Sequence, residues 1–353
     1  VKSDLDLSGT QLIFPANGGA GVLTPTVVNR KFEAWLPNIN ARIRLTPQFQ
    51  ARLAYTETQT RPNFIDLRAS GTLDRPDTCL AVTPRPANCF QTGNGGNPYL
   101  NPLTSKNFDA ALEYYFSRNG FVSVSVFNRE LEGFIEGNVF QGELPDGTPL
   151  RLNSPVNAGS GRIRGFEVQA STFLDFAGLP QFGVQGNVTH LDAKSDFAYD
   201  EGFVNPGNGP QVRRVDIVNR ELMGVSDWSY NLAAFYEANG ISTRLSYNWR
   251  SDFPLTYQRR GDHLYTERAD PVQRLDLSLN YDVVPALTVF ADWTNILGDP
   301  FSSTLTRTNT QDNPRNAATN PGPNGPQTGF VATYPRVVRY EESTLTVGIR
   351  FRF

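Results

Sequence analysis

Residues 228–250 read WSYNLAAFYEANGISTRLSYNWR. Trp228, Tyr230, Leu232, Ala234 and Tyr236 alternate with Ser229, Asn231 and Glu237. After Asn239-Gly240, Ile241, Thr243, Leu245, Tyr247 and Trp249 alternate with Ser242, Arg244, Ser246 and Asn248. Side chains of a strand point alternately to its two faces, so a period of two gives one apolar and one polar face. Asn-Gly suits the two-residue type I′ turn, whose central residues both need positive φ. The stretch predicts a tight antiparallel hairpin with aromatics near both ends.

The same pattern extends in both directions. It predicts eleven strands, with cores near 32–46, 49–61, 107–117, 121–135, 163–175, 182–194, 228–238, 241–252, 273–283, 286–296 and 343–353. In the ninth, Leu275, Leu277 and Leu279 are assigned to the apolar, outward face. The connections alternate in length. After odd-numbered strands they are tiny: Pro47-Gln48, Asn119-Gly120, Ala177–Pro180, Asn239-Gly240 and Val284-Pro285. After even-numbered strands they are long, spanning 62–106, 136–162, 195–227, 254–272 and 298–341. Short turns at one end and long loops at the other mark an antiparallel transmembrane β-barrel. About ten tilted residues per strand suffice to cross a bilayer. A soluble sandwich or propeller explains the alternation, but not the strict parity of the loops or the polar residues filling the second face.

Composition agrees. The chain has 353 residues with 19% charged and 12% aromatic side chains. Only four of its 32 basic residues are Lys; the rest are Arg. A net charge of −3 gives no electrostatic case for nucleic acid. The longest unbroken apolar run is Leu232–Tyr236, far short of the roughly 20 residues of a spanning helix. No charged-then-apolar leader is recognisable, so no signal peptide is expected. With the carboxyl end periplasmic, every short turn is periplasmic and every long loop is outside. Residues 1–31 are expected to be the end of a truncated strand (Val1–Gly9) followed by an extracellular loop, and 32–353 the barrel strands.

Several segments spell a family pattern. LPNINARIRLTPQFQARLAYTETQTRPNF (36–64), NPYLNPLTSKNFDAALEYYFSRNGFVSVSVFNRELEGFI (97–135), GRIRGFEVQAS (161–171), LTVFADWTNILGDPF (287–301) and the terminal VGIRFRF (347–353) occur in order. From about Lys31 onward the chain resembles the C-terminal half of TonB-dependent outer-membrane receptors, closest to the alpha-proteobacterial and xanthomonad type. The resemblance implies energy-coupled import of a scarce ligand, an oligosaccharide or a siderophore, through TonB. It also implies a 22-stranded barrel around a plug, of which eleven strands and a stub are present here. No plug domain or TonB box is recognisable. The aromatic end at Phe353 resembles the signal read by the barrel assembly machinery. Outer-membrane lipid is the remaining implied partner. A passive porin-like channel is the alternative reading; a barrel enzyme or adhesin ranks below it.

No catalytic motif, cofactor site or metal site is expected. His190, with Asp192 and nearby serines, reads as a solvated lumen or loop residue. Arg260-Gly261-Asp262 reads as a chance tripeptide. Arg42, Arg44, Arg52, Arg244, Arg350 and Arg352 are expected on the luminal face. There they either make an electropositive channel toward a plug or anionic ligand, or pair with Asp109, Glu113, Glu167, Glu237 and Asp276. Loop 254–272 carries the ligand candidates Tyr257, Arg259, Arg260, His263 and Tyr265, which suit sugar stacking and bidentate anion contacts. Cys79 and Cys89, in one outer loop, are expected to form a disulfide.

Overall fold

The computed structural model describes all residues except 14–21, 77, 84–88, 145, 206–208, 261–262, 310–330 and 353. The chain opens with a hairpin, β1 (Lys2–Ile13) and β2 (Val22–Glu33). β3 (Asn38–Arg44) and β4 (Phe49–Thr60) follow, then the short β5 (Gly71–Leu73) and β6 (Gln91–Gly95). β7 (Leu103–Tyr115), β8 (Phe121–Glu143), β9 (Pro149–Leu174) and β10 (Leu179–Asn205) are longer, and β11 (Gly209–Glu221) returns from β10. β12 (Trp228–Ala238) and β13 (Ile241–Arg250) are the hairpin first quoted. Next come β14 (Phe253–Arg260), β15 (His263–Ala269), β16 (Val272–Val284) and β17 (Leu287–Thr294). β18 (Phe301–Asn309), β19 (Val331–Arg339) and β20 (Thr344–Phe351) complete the set.

One antiparallel path runs β3-β4-β7-β8-β9-β10-β12-β13-β16-β17-β20, the eleven strands expected from the sequence. β3 pairs only with β4 and β20 only with β17 among the described residues, so the path ends in two free edges. At the decisive hairpin Asn239 and Gly240 have φ of 54° and 76°, as a type I′ turn requires. The Asn119-Gly120 expectation is corrected. Tyr115 pairs with Phe121, leaving a five-residue loop that closes through Phe116 N donating to Gly120 O at 3.1 Å. The strand expected over 32–46 is also two elements. Phe32 and Glu33 end β2, and the ladder restarts only after Pro37, which has no N–H to give and disfavours α geometry at Leu36. The segment expected as an outer loop near the amino end is itself the β1–β2 hairpin.

The long connections are folded rather than loose. β8 and β9 stay paired far past their expected cores, out to Glu143↔Pro149. β10 continues upward with β11, and β14-β15-β18-β19 form a separate four-stranded sheet from the last two long connections. β6 lies parallel to the far end of β9.

The packing inverts that of a water-soluble domain. Along the eleven-strand path the apolar face is uncovered: Val126 is 50%, Leu232 49% and Val347 66% exposed. Leu275 and Leu277 stand opposite Tyr247 and Leu245 on that face, as expected. The buried apolar side chains sit instead at the long-connection end, in Leu67, Phe90, Leu100 and Leu150 and in Phe197, Phe253 and Ala269. An uncovered apolar band suits hydrocarbon as its solvent and is costly in water.

Aromatic clusters border the band. Toward the long connections Phe166, His190 and Trp228 pack with centroids 4.4–6.0 Å apart, and Tyr230 stacks on Trp249 at 4.9 Å. Toward the short turns Phe49 stacks on Tyr114 at 4.5 Å and Phe182 meets Tyr236 at 4.8 Å. Such girdles mark the two membrane interfaces. His190 therefore belongs to the apolar face, a correction to its reading as a lumen or loop residue. Its cross-strand partners are Phe166 and Trp228, and its Nδ1 donates to the Asp227 carbonyl at 3.0 Å.

Candidate functional site

The opposite, polar face is a wall of cross-strand pairs. Arg52 meets Glu113 at 2.6 Å, and Glu113 also accepts from Gln50 and from the Tyr115 hydroxyl at 2.7 Å. Arg129 grips Asp109 with both terminal nitrogens, at 2.6 and 3.0 Å. Asn231 donates to Asn187, which donates to Glu167. Arg244 reaches Gln185 at 3.4 Å, and Arg350 reaches Asn280 at 3.2 Å while lying 4.1 Å over the Phe290 ring. The side chains of Arg42, Arg44 and Arg352 make no hydrogen bond or ion pair among the described residues. A pocket of about 350 Å³ lies beside β3, lined by Asn40, Arg42, Arg52, Asp109 and Ser125. Of the six arginines expected there, Arg52, Arg244 and Arg350 are held by neighbours and Arg42 faces open space.

Large rings on this wall are accommodated by glycines. The space beside Gly183 is filled by Phe235, and that beside Gly348 by Phe290; an added Cβ would meet these rings at 2.1 and 2.5 Å. Phe235 and Phe290 break the polar character of this face, and the glycine that receives each ring lies across the ladder rather than nearby in sequence.

At the long-connection end the ligand candidates separate. Arg260 and His263 pair at the tip of β14–β15, and Arg259 pairs with Leu264; their side chains lie outside the described residues. Tyr257 pairs with Thr266 and Gln258 with Tyr265, so the two tyrosines occupy opposite faces. Tyr257 is engaged in packing. Its hydroxyl donates to the Glu221 carbonyl at 3.1 Å and its ring lies 4.6 Å from the Arg220 guanidinium. Burial, first of all, pushes its phenol above the ordinary range. Tyr265 faces Arg307 at 6.0 Å.

Sequence reading missed the cluster that binds these hairpins together. Arg268 of β15 pairs with Glu221 of β11 and with Asp252 at 2.7 Å. Burial alone would lower its pKa; the two carboxylates outweigh that and hold it above the ordinary range. Arg220 lies between the rings of Phe197 at 4.0 Å and Tyr257, and its terminal nitrogen is 3.5 Å from Glu136. Glu136 is pushed above the usual carboxylate range by burial, with Arg220 opposing. These residues come from three connections far apart in sequence, so no local spacing signals them. Among the described residues no group of His, Cys, Asp and Glu could hold a metal ion. Cys89 is buried and disulfide-bonded, whereas the side chain of Cys79 lies outside the described residues, as does Phe353.

A strand meander with an uncovered apolar face, aromatic girdles, a polar inner wall and folded long connections defines an outer-membrane-type β-barrel protein. Residues 12–296 match the family model described as TonB dependent receptor-like, beta-barrel, and the chain belongs to that family. Its place is therefore the bacterial outer membrane. Similar solved structures include a variant of the ferric enterobactin receptor of Pseudomonas aeruginosa bound to enterobactin. It is 15% identical, with 76% of this chain and 36% of that one covered and a TM-score of 0.52. The siderophore receptor PirA of Acinetobacter baumannii is 13% identical, with 78% and 39% covered and a TM-score of 0.53. The copper transporter OprC is 14% identical, with 82% and 37% covered and a TM-score of 0.50. The matched region thus spans under half the length of these relatives. No curated protein sequence matches the chain.

Proposed function

We propose that the chain is the C-terminal half of the barrel of a TonB-dependent receptor of alpha-proteobacterial or xanthomonad type. The whole receptor imports an oligosaccharide or a siderophore-like ligand across the outer membrane, and the chain itself is not an enzyme. The observation that carries this reading is the eleven-strand path with its two free edges, half of the 22 strands that enclose a plug. An unpaired edge in hydrocarbon costs several kcal/mol per unsatisfied group, so each edge calls for a partner strand. The amino end supports this. Val1 exchanges backbone hydrogen bonds with Ala34, so the β1–β2 ladder reaches the segment that leads into β3.

In this reading the short turns are periplasmic and the long connections form the outer cap. Arg42 and its pocket face the plug or the ligand, and Tyr257, Arg259, Arg260, His263 and Tyr265 belong to the cap that ligand meets first. TonB acts through the amino-terminal region of the receptor, and the assembly machinery reads the carboxyl end at Phe353. The test is uptake of candidate ligands by cells carrying the full receptor gene or this region alone, with and without TonB. Uptake by the full receptor that vanishes without TonB is expected. Uptake by this region alone that persists without TonB would overturn the reading in favour of a passive pore.

A further inference from the structure

Above the aromatic girdle the apolar face of β9 and β10 does not end in neutral loops. Register places Phe166 opposite His190, then Arg164 opposite Asp192, then Arg162 opposite Lys194. On the other side Arg164 faces Asn128, and Arg162 faces Glu130, which faces Lys106. Cross-strand partners share a face, so Arg162, Arg164 and Lys194 stand together on the outer surface. They begin about 7 Å of strand beyond the aromatic ring of Phe166.

Two features distinguish this cluster from an ordinary solvated rim. Neither arginine is committed to a carboxylate among the described residues, although Glu130 and Asp192 stand beside them in register. Arg164 Nε donates only to Asn128 at 2.9 Å, and Arg162 makes no side-chain bond; both are exposed. Lys194 is loosely paired with Asp192 at 3.9 Å and stands opposite Glu221 of β11, whose carboxylate is held by Arg268. The acids one step higher are Glu132 and Asp196, and Asp196 already accepts from the Asn219 N–H at 2.6 Å.

The second feature lies directly below, on the same strands. Small residues, Ala170 and Gly186, lie among Val188, Leu232, Leu245 and Leu275 and leave an apolar groove of about 580 Å³. Free guanidinium forks, an aromatic girdle and an apolar groove follow one another down a single face.

We propose that this face is a binding site for a phosphorylated glycolipid of the outer leaflet. Its phosphate is held by Arg162, Arg164 and Lys194, and an acyl chain lies in the groove. Guanidinium groups grip phosphate oxygens in bidentate fashion, and Lys adds a point charge. The ordering matches an amphiphile: phosphate outermost, chains in the hydrocarbon. The inference rests on the proposed orientation, which puts the long connections outside.

The test uses the full receptor in nanodiscs of phosphatidylcholine doped with lipid A carrying both phosphates, with retained lipid counted by native mass spectrometry. Wild type is expected to retain lipid A. The triple variant Arg162→Gln, Arg164→Gln, Lys194→Gln should retain at least tenfold less, as should wild type given lipid A stripped of both phosphates. Ala170→Phe, which fills the groove and leaves the cations, should weaken retention severalfold. Equal retention by the triple variant, or of the phosphate-free lipid, would overturn the site. Equal retention of phosphatidylglycerol would overturn the glycolipid assignment. Orientation is read separately, by impermeant maleimide on whole cells bearing Asn119→Cys or Asp146→Cys. Labelling at Asn119→Cys alone would overturn the orientation without touching the nanodisc result.

Discussion

Gly240 and Gly348 show two ways in which one missing Cβ matters. Gly240 sits at φ 76° in the β12–β13 turn, so Gly240→Ala should cost about 1–2 kcal/mol. Gly348→Ala pushes against the Phe290 ring, itself covered by Arg350, and should cost about 1–3 kcal/mol through overpacking. Urea unfolding of the full receptor in detergent micelles measures both. The first is legible in the sequence as Asn-Gly; the second is not, because Gly348 and Phe290 are partners only across a ladder. Glu136 supplies a pH signature. Its folded pKa lies above the unfolded value, so the folded state binds more protons and the cap loses stability as pH rises through the interval between them. Hydrogen exchange along β8 and β11 should show that loss just above the ordinary carboxylate range, and Glu136→Gln should flatten it.

Hairpins are joined to one another by a few charged side chains. Arg268→Ala frees Glu221 and Asp252 together and removes one of the links between β11 and the β14–β15 hairpin, leaving the Tyr257 hydroxyl on the Glu221 carbonyl. Both partners are half-exposed, so the expected effect is about 1–3 kcal/mol of local opening, seen as faster exchange in β11 and β15 with β12 and β13 unchanged. The proposed bond between Cys79 and Cys89 should hold its loop by about 2–3 kcal/mol, and reduction should expose that loop to protease. Strand identity was legible because a period of two survives wherever one face meets hydrocarbon and the other water. Hairpin extensions such as β14–β15 and β18–β19 were not, since their two faces meet other loops and lose the alternation. The five-residue turn at 116–120 shows the same limit: Asn119-Gly120 proposes a turn, but the Tyr115↔Phe121 pair decides its length.

For the molecule as a whole, family and architecture were readable in advance, while the interior of the candidate site was not. The luminal arginines were placed by alternation alone; which were held depended on Glu113, which neutralises Arg52, and on the amide oxygens of Gln185 and Asn280 arriving from neighbouring strands. Deleting Phe353 should lower the amount of receptor inserted in the outer membrane, measured by heat-modifiable mobility, if the assembly machinery reads that end. β8 and β9 carry a last consequence. β9 runs 26 residues, and its stretch Pro149–Gly165, about two thirds of it, lies beyond the girdle ring of Phe166, about 55 Å of ladder at roughly 3.3 Å per residue. With the long connections outside, that ladder is a mast. It lifts the tip of the receptor clear of the headgroup layer, within reach of antibodies and phage tail fibres that never touch the bilayer.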